Sequence, residues 1–413
     1  MLRAELERRE PGLMPVLRRR AASWCLDNDL PEEALEYSIA AGDVGTAGRL
    51  VQRLWLPTYR QARVATIQRW LGWLDDRGGT EGHPMLAVLA GFLAATTGHP
   101  AEAEQWADVV DRWQNGDTAP RGAPVAEAWA ALLGAILCRR GVEQMRVDAD
   151  QAVQRLAAEG VVAPVATFCQ GIARVLSGDL HGADVYFKDA VSAGGETAPD
   201  VLAAALSEQA LLAMARTQWS QAETLAGQAA TALREGRIED SWVTPLICAA
   251  QARAAWHQAD VSSARQELIR AQRSRPLLTY AIPHIAVQAR IELARVHLAL
   301  GDLAGARTLM REIDELLRRR PDLGTLAGEV DALRAQLAME HGPSPLGSSS
   351  LTGAELRLLP LLSTHLSFRE IGQQLFLSRN TIKSEATSTY RKLGVFTRSQ
   401  AVLRARELGL LDE

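Results

Sequence analysis

The chain has 413 residues, 47% of them hydrophobic but only 5% aromatic, with 45 Lys and Arg against 49 Asp and Glu for a net charge of −4. That length allows two or more domains, and an apolar content dominated by Ala and Leu favours helices over sheets. Cys25, Cys138, Cys169 and Cys248 lie far apart without a CxxC pair, so scattered buried thiols are expected rather than a disulfide framework or a thiolate metal site.

No stretch reaches the ~18 apolar residues of a membrane span. The opening LRAELERRE is no apolar leader. The expected compartment is therefore the cytoplasm, with no membrane contact.

From Arg18 to Trp55 the chain reads RRRAASWCLDNDLPEEALEYSIAAGDVGTAGRLVQRLW, and a repeating pattern starts within it. A helix ends on a small or polar pair, often with Gly, and five residues later a new helix begins around an Ala. The pairs and alanines are Gly42-Asp43 with Ala47, Gly178-Asp179 with Ala183, Thr217-Gln218 with Ala222, Ala259-Asp260 with Ala264, and Gly301-Asp302 with Ala306. Gly98 and Gly141 sit in similar surroundings, and the intervals after Gly98 run 43, 37, 39, 42 and 42 residues. Such a period holds two helices per unit. A hairpin of that size cannot bury its apolar face alone, so units stack into a solenoid with a concave inner face available for binding. Gly suits the turn that ends a helix, and Ala lets paired helices approach closely.

All ten tryptophans precede residue 260, including Trp70 and Trp73 one turn apart, with Trp106, Trp113 and Trp129 nearby. Such rings serve either as solenoid core, the favoured reading, or as a stacking surface for a small inducer. The eight histidines show no metal-ligand spacing, and neither G-x-S-x-G nor another nucleophile setting occurs. No metal, cofactor or catalytic residue is expected, and the chain is not read as an enzyme.

His341 to Ser350, HGPSPLGSSS, is a Gly/Pro/Ser-rich tether able to span about 17 Å as a coil. Beyond it the charge changes sign. From residue 351 onward there are nine Lys and Arg against six Asp and Glu, leaving 36 against 43 upstream. This tail contains four short helices, each opened by a hydroxyl. Thr352 with Glu355, Ser367 with Glu370 and Thr397 with Gln400 have capping-box spacing and predict helix starts near 353, 368 and 398. Ser378 opens the fourth, whose run to Leu393 puts Ile382, Ala386, Thr389 and Leu393 on one face. Only Phe376-Leu377 separates it from the preceding helix. So tight a link crosses two helices steeply, letting the second enter a major groove. Its outer face offers Ser378, Arg379, Asn380, Thr381, Lys383, Ser384, Thr387, Ser388, Arg391 and Lys392. These residue types position on phosphates and read base edges.

The segment SFREIGQQLFLSRNTIKSEATSTYRKLGV followed by RSQAVLRARELGLL resembles the C-terminal domain of LuxR-type transcriptional regulators over about residues 351 to 413. The resemblance implies DNA contacts by Lys383, Ser384 and Thr387, dimerisation through the helix from Ala401 to Leu408, and RNA polymerase as a further partner. The sequence departs from the family pattern at three places. Gly353 and Ala354 stand where Pro-Arg is common, Pro360 lies inside the first helix and should kink it, and Glu385 replaces a common His. The stretch from Arg18 to Trp55 resembles the start of the helical-repeat region of MalT-like regulators, in which an ATPase precedes the repeats. No G-x-x-x-x-G-K-[ST] phosphate loop is present here.

The expected architecture is all-α. A tetratricopeptide-like solenoid over 1–340 senses a ligand or partner, 341–350 is a flexible linker, and 351–413 is a four-helix LuxR-type helix-turn-helix that binds double-stranded DNA as a homodimer. Its period exceeds the ~34 residues of standard tetratricopeptide units. The competing reading is a non-catalytic interaction scaffold whose C-terminal domain mainly dimerises.

Overall fold

A computed structural model of the chain describes residues 10, 12–61, 63–80, 83–115, 124–158, 164–195, 198–339, 351–375 and 377–411. The expected tether from His341 to Ser350 and the link residue Phe376 lie outside them. The described residues form helices joined by turns and short irregular links, with no strand among them. In chain order the helices are α1 (Leu13–Asp27), α2 (Pro31–Ala41), α3 (Val44–Arg60), α4 (Val64–Asp75), α5 (Pro84–Thr96), α6 (Pro100–Asn115), α7 (Pro124–Leu137) and α8 (Val142–Ala158). There follow α9 (Pro164–Leu176), α10 (Leu180–Gly194), α11 (Pro199–Ala215), α12 (Trp219–Glu235), α13 (Thr244–His257), α14 (Val261–Ser274), α15 (Pro283–Ala299), α16 (Leu303–Arg319) and α17 (Thr325–Met339). The last four are α18 (Gly353–Leu362), α19 (Phe368–Gln374), α20 (Arg379–Leu393) and α21 (Arg398–Glu407).

The residue pairs that punctuate the sequence stop one helix and start the next. Gly42, Gly98, Gly141, Gly178, Thr217, Ala259 and Gly301 all adopt positive φ, from 59° to 84°. In this left-handed conformation the amides close back on the last turn: Gly301 N donates to Leu298 O and Asp302 N to His297 O. The following Asp then caps the next helix. Asp43, Asp179, Asp260 and Asp302 accept from Thr46, Gly182, Ser263 and Gly305 amides at 2.8–3.0 Å. The new helix therefore begins immediately after the pair, not five residues on. Ala47, Ala183, Ala222, Ala264 and Ala306 are instead buried inside its first turn, where a larger side chain would push the two helices apart.

Two compact units divide the chain, Met1–Ala94 with Ala101–Leu133 and Ala95–Pro100 with Gly134–Glu413. The first has a core of Leu35, Leu50, Ile67, Trp70, Leu74 and Leu86, with Trp73, Trp106 and Trp129 packed against it. Trp55 meets Trp129 edge-on at 5.8 Å and Phe92 at 6.1 Å. These rings are core in character, and burying one stabilises by roughly 1.5–3 kcal/mol.

In the second unit α9/α10, α11/α12, α13/α14 and α15/α16 pair as hairpins. Their first helices contact in succession from α9 through α11, α13 and α15 to α17, and α17 returns to α9. Hydrogen bonds seal the return: Arg320 Nε donates to Leu137 O at 2.9 Å, Thr325 Oγ1 to Val175 O at 2.9 Å, and Val142 N to Asp322 Oδ2 at 3.2 Å. The sequence predicts a concave inner face available for binding. Here the circuit of first helices closes, and Glu208 and Glu292 are buried in a network with Gln288, Arg253 and Arg295.

Candidate nucleic-acid interface

The C-terminal four helices start where the hydroxyl residues place them, at Gly353, Phe368, Arg379 and Arg398. Thr352–Glu355 and Ser367–Glu370 form complete capping boxes. Ser378 Oγ accepts from Thr381 N at 3.1 Å. At the last helix Thr397 accepts from Gln400 N, but Gln400 returns its carbonyl oxygen to Phe396 N rather than to the cap amide. α18 continues through Pro360 for two residues. The orphan carbonyls at the end of this helix and in the loop after it find a donor in Arg398, which bonds Leu361, Leu362, Thr364 and Leu366 oxygens at 2.7–3.1 Å.

Leu351, Leu356, Leu359, Leu362, Ile371, Ile382, Ala386 and Ala405 make one core. From α20 it takes Ile382 and Ala386, with Leu393 packed against it, and Thr389 is buried on the same side. That inward row is the apolar face read from the sequence, and it fixes the rotation of α20. The tight crossing with α19 needs Gly372, since a Cβ there would lie 2.6 Å from the Leu377 carbonyl oxygen. Gly372 and Arg398 are the two residues the sequence pattern does not single out. A lone glycine inside a helical run was the available signal for the first, and nothing local marks the second.

With the rotation fixed, Ser378, Arg379, Asn380, Lys383, Ser384, Thr387 and Arg391 are exposed, and Thr381 is partly so. Two members of the expected face turn inward. Lys392 Nζ lies 2.6 Å from Glu355 Oε2, with its side chain only 11% exposed, and Ser388 is half-buried on the same side. Burial would raise the Glu355 carboxyl, but Lys392, the Thr352 amide and Ser388 hold it below its ordinary value. Glu385 likewise avoids the outer face. Burial raises its carboxyl against the pull of Arg357, and its Oε2 is shielded from solvent.

Elsewhere the chemistry is quiet. The four cysteines are free and buried, with burial pushing the Cys138 and Cys169 thiols up to about 12. An open groove of 710 Å³ runs beside Thr217, Trp219, Thr224, Leu225 and Gln228. Among the described residues no His/Cys/Asp/Glu group is arranged to hold a metal, and no helix is long and apolar enough to cross a membrane.

Residues 349–405 match the family described as bacterial regulatory proteins, luxR family. The spore germination protein GerE of Bacillus subtilis (strain 168) is 36% identical over 62 residues, which is 84% of that protein and 15% of this chain. The chain belongs to the luxR family of bacterial regulatory proteins. Two further luxR-type relatives from the same organism are the transcriptional regulatory proteins YdfI, 29% identical over 137 residues, and LiaR, 35% identical over 71. The chain spans 61% of the length of YdfI and 34% of LiaR, and those matches cover 33% and 17% of its own length. Among solved structures, a monomeric mutant of IFIT1 with m7Gppp-AAAA aligns over 95% of this chain and 90% of its own at 11% identity and TM-score 0.37. Yeast Tom70 aligns over 81% and 98% at 12% identity and TM-score 0.30.

Proposed function

We propose that this chain is a DNA-binding transcriptional regulator whose luxR-type domain, 351–413, reads double-stranded promoter DNA with α20. The observation that carries this reading is the outward row Arg379, Asn380, Lys383, Ser384, Thr387 and Arg391 on a helix whose rotation is locked by Ile382 and Ala386. Ser378 caps this helix through the Thr381 amide, and a helix N-terminus of this kind suits a DNA phosphate. Lys392 serves the fold through Glu355 and is not assigned a DNA contact. Leu403, 61% exposed on α21, suits a homodimer on DNA.

In the same reading the repeats over 1–340 receive a small-molecule inducer or a protein partner, 341–350 links them to the reader, and the chain works in the cytoplasm with RNA polymerase as a further partner. No catalytic role is assigned. MalT-like regulators remain the architectural comparison for repeats followed by a luxR-type domain.

Two lysines test the assignment. Lys383→Ala should weaken duplex binding by about 1–3 kcal/mol if it reads a base, or lower the salt dependence by about one counterion if it meets a phosphate. Lys392→Ala should instead lower the melting temperature and leave the salt slope unchanged. A Lys383→Ala protein that binds promoter DNA as tightly as the parent at every salt concentration removes α20 from the interface and favours the scaffold reading.

A further inference from the structure

One face of α1 is left uncovered. Ala22 and Cys25 are buried where α1 packs against α2. On the opposite side the helical period aligns Val16, Leu17, Arg20, Ser23, Trp24 and Asp27 in one row. Leu17 is 39% and Trp24 60% exposed, Arg20, Ser23 and Asp27 are exposed with them, and Val16 is half-buried. A single exposed apolar side chain is ordinary on a protein surface. A tryptophan aligned with two aliphatic residues and flanked by charges has instead the make-up of an interface, an aromatic anchor inside a polar rim.

The charges on this row select the occupant. Arg20 lies one turn before Trp24 and Asp27 one turn after it, and neither is ion-paired among the described residues. A partner of uniform charge would find one end of the row favourable and the other repulsive. A second copy laid antiparallel, with a twofold axis passing near Ser23, sets Arg20 of each copy beside Asp27 of the other and packs the two Trp24 rings into the middle. The symmetry makes each contact twice. A parallel pairing would oppose Arg20 to Arg20 and Asp27 to Asp27, so the sign pattern also fixes the direction. With 15 residues α1 is about 22 Å long. A contact on that scale belongs to the small, reversible class of interfaces.

We propose that the face of α1 carrying Leu17, Arg20, Trp24 and Asp27 is a self-association surface that docks antiparallel on the same face of a second copy of this chain. It is separate from Leu403 on α21 and does not depend on the DNA-binding reading.

Sedimentation equilibrium of the full chain without DNA, at low salt and up to about 100 µM, reads this contact. The parent should show a reversible monomer–dimer equilibrium. Arg20→Glu and Asp27→Arg should each weaken it about tenfold, because one substitution turns two attractions into two repulsions. Mixed in equal amounts, the two variants should pair with each other about as tightly as the parent pairs with itself, since an all-acidic row then meets an all-basic one. The double variant Arg20→Glu/Asp27→Arg should regain the parent value, because exchanging the signs preserves the antiparallel match. Both positions are exposed, so folding should be unchanged. Trp24→Ala should weaken the pair about tenfold or more as the loss of its anchor.

A parent that stays monomeric throughout overturns the proposal. So does a dimer indifferent to both sign changes, or a pair of single variants that do not associate when mixed.

Discussion

Glu208 should make the stability of the repeats fall as pH rises through neutrality. Its side chain is 1% exposed on α11, where Gln288 Nε2 donates to Oε2 at 2.9 Å and Oε1 has no partner. Glu292 and Glu329 face it from α15 and α17. Glu292 is paired with Arg253 and Arg295, and Arg295 also pairs with Glu329. Burial raises the Glu208 carboxyl to about 8, the Gln288 hydrogen bond opposes this, and the two neighbouring carboxylates add to it. Because the folded value lies above the unfolded one, the favourable contribution is complete below about pH 4.5 and is lost progressively up to about pH 8. At 1.36 kcal/mol per unit the whole window is worth roughly 5 kcal/mol. Glu208→Gln keeps the shape of the protonated acid without the titration. Urea unfolding of parent and variant between pH 5 and 8, followed by far-ultraviolet circular dichroism, should give curves that diverge steadily, with the variant ahead at the alkaline end. Parallel curves over that range would show that Glu208 is ionised in the folded state and refute the argument.

Gly372→Ala should destabilise the reader by about 1–3 kcal/mol, because the added methyl meets the Leu377 backbone oxygen at 2.6 Å and backbone yields poorly; a thermal melt with no loss would show that the α19–α20 turn is looser than described. Ala259→Gly should stabilise the repeats by about 1 kcal/mol, since Ala259 adopts φ 61° at a helix end where Gly has no steric penalty. An unchanged denaturation midpoint would count against strain at that turn.

Much of this molecule is local and therefore legible in the chain. A Gly-Asp doublet needs only its own backbone to stop one helix and cap the next, and Ser378 needs only Thr381 to open the reading helix. The apolar row Ile382, Ala386 and Thr389 likewise fixes, by helical period alone, which side of α20 faces out. The sequence by itself therefore determined the all-α class, the repeat punctuation, the four reader helices and most of the outward row. Contacts between residues far apart in the chain decided the rest. Lys392 belongs to the outer face by composition, but Glu355, 37 residues away, supplies a buried partner and turns it inward. The closure of α17 on α9 and the grip of Glu312 on Gly353 depend on how small angles between successive hairpins accumulate. Helical periodicity reports which face of a helix is apolar but does not encode those angles, so only the tertiary structure could bring residues 320–325 to the start of the second unit and seat the reader against α16.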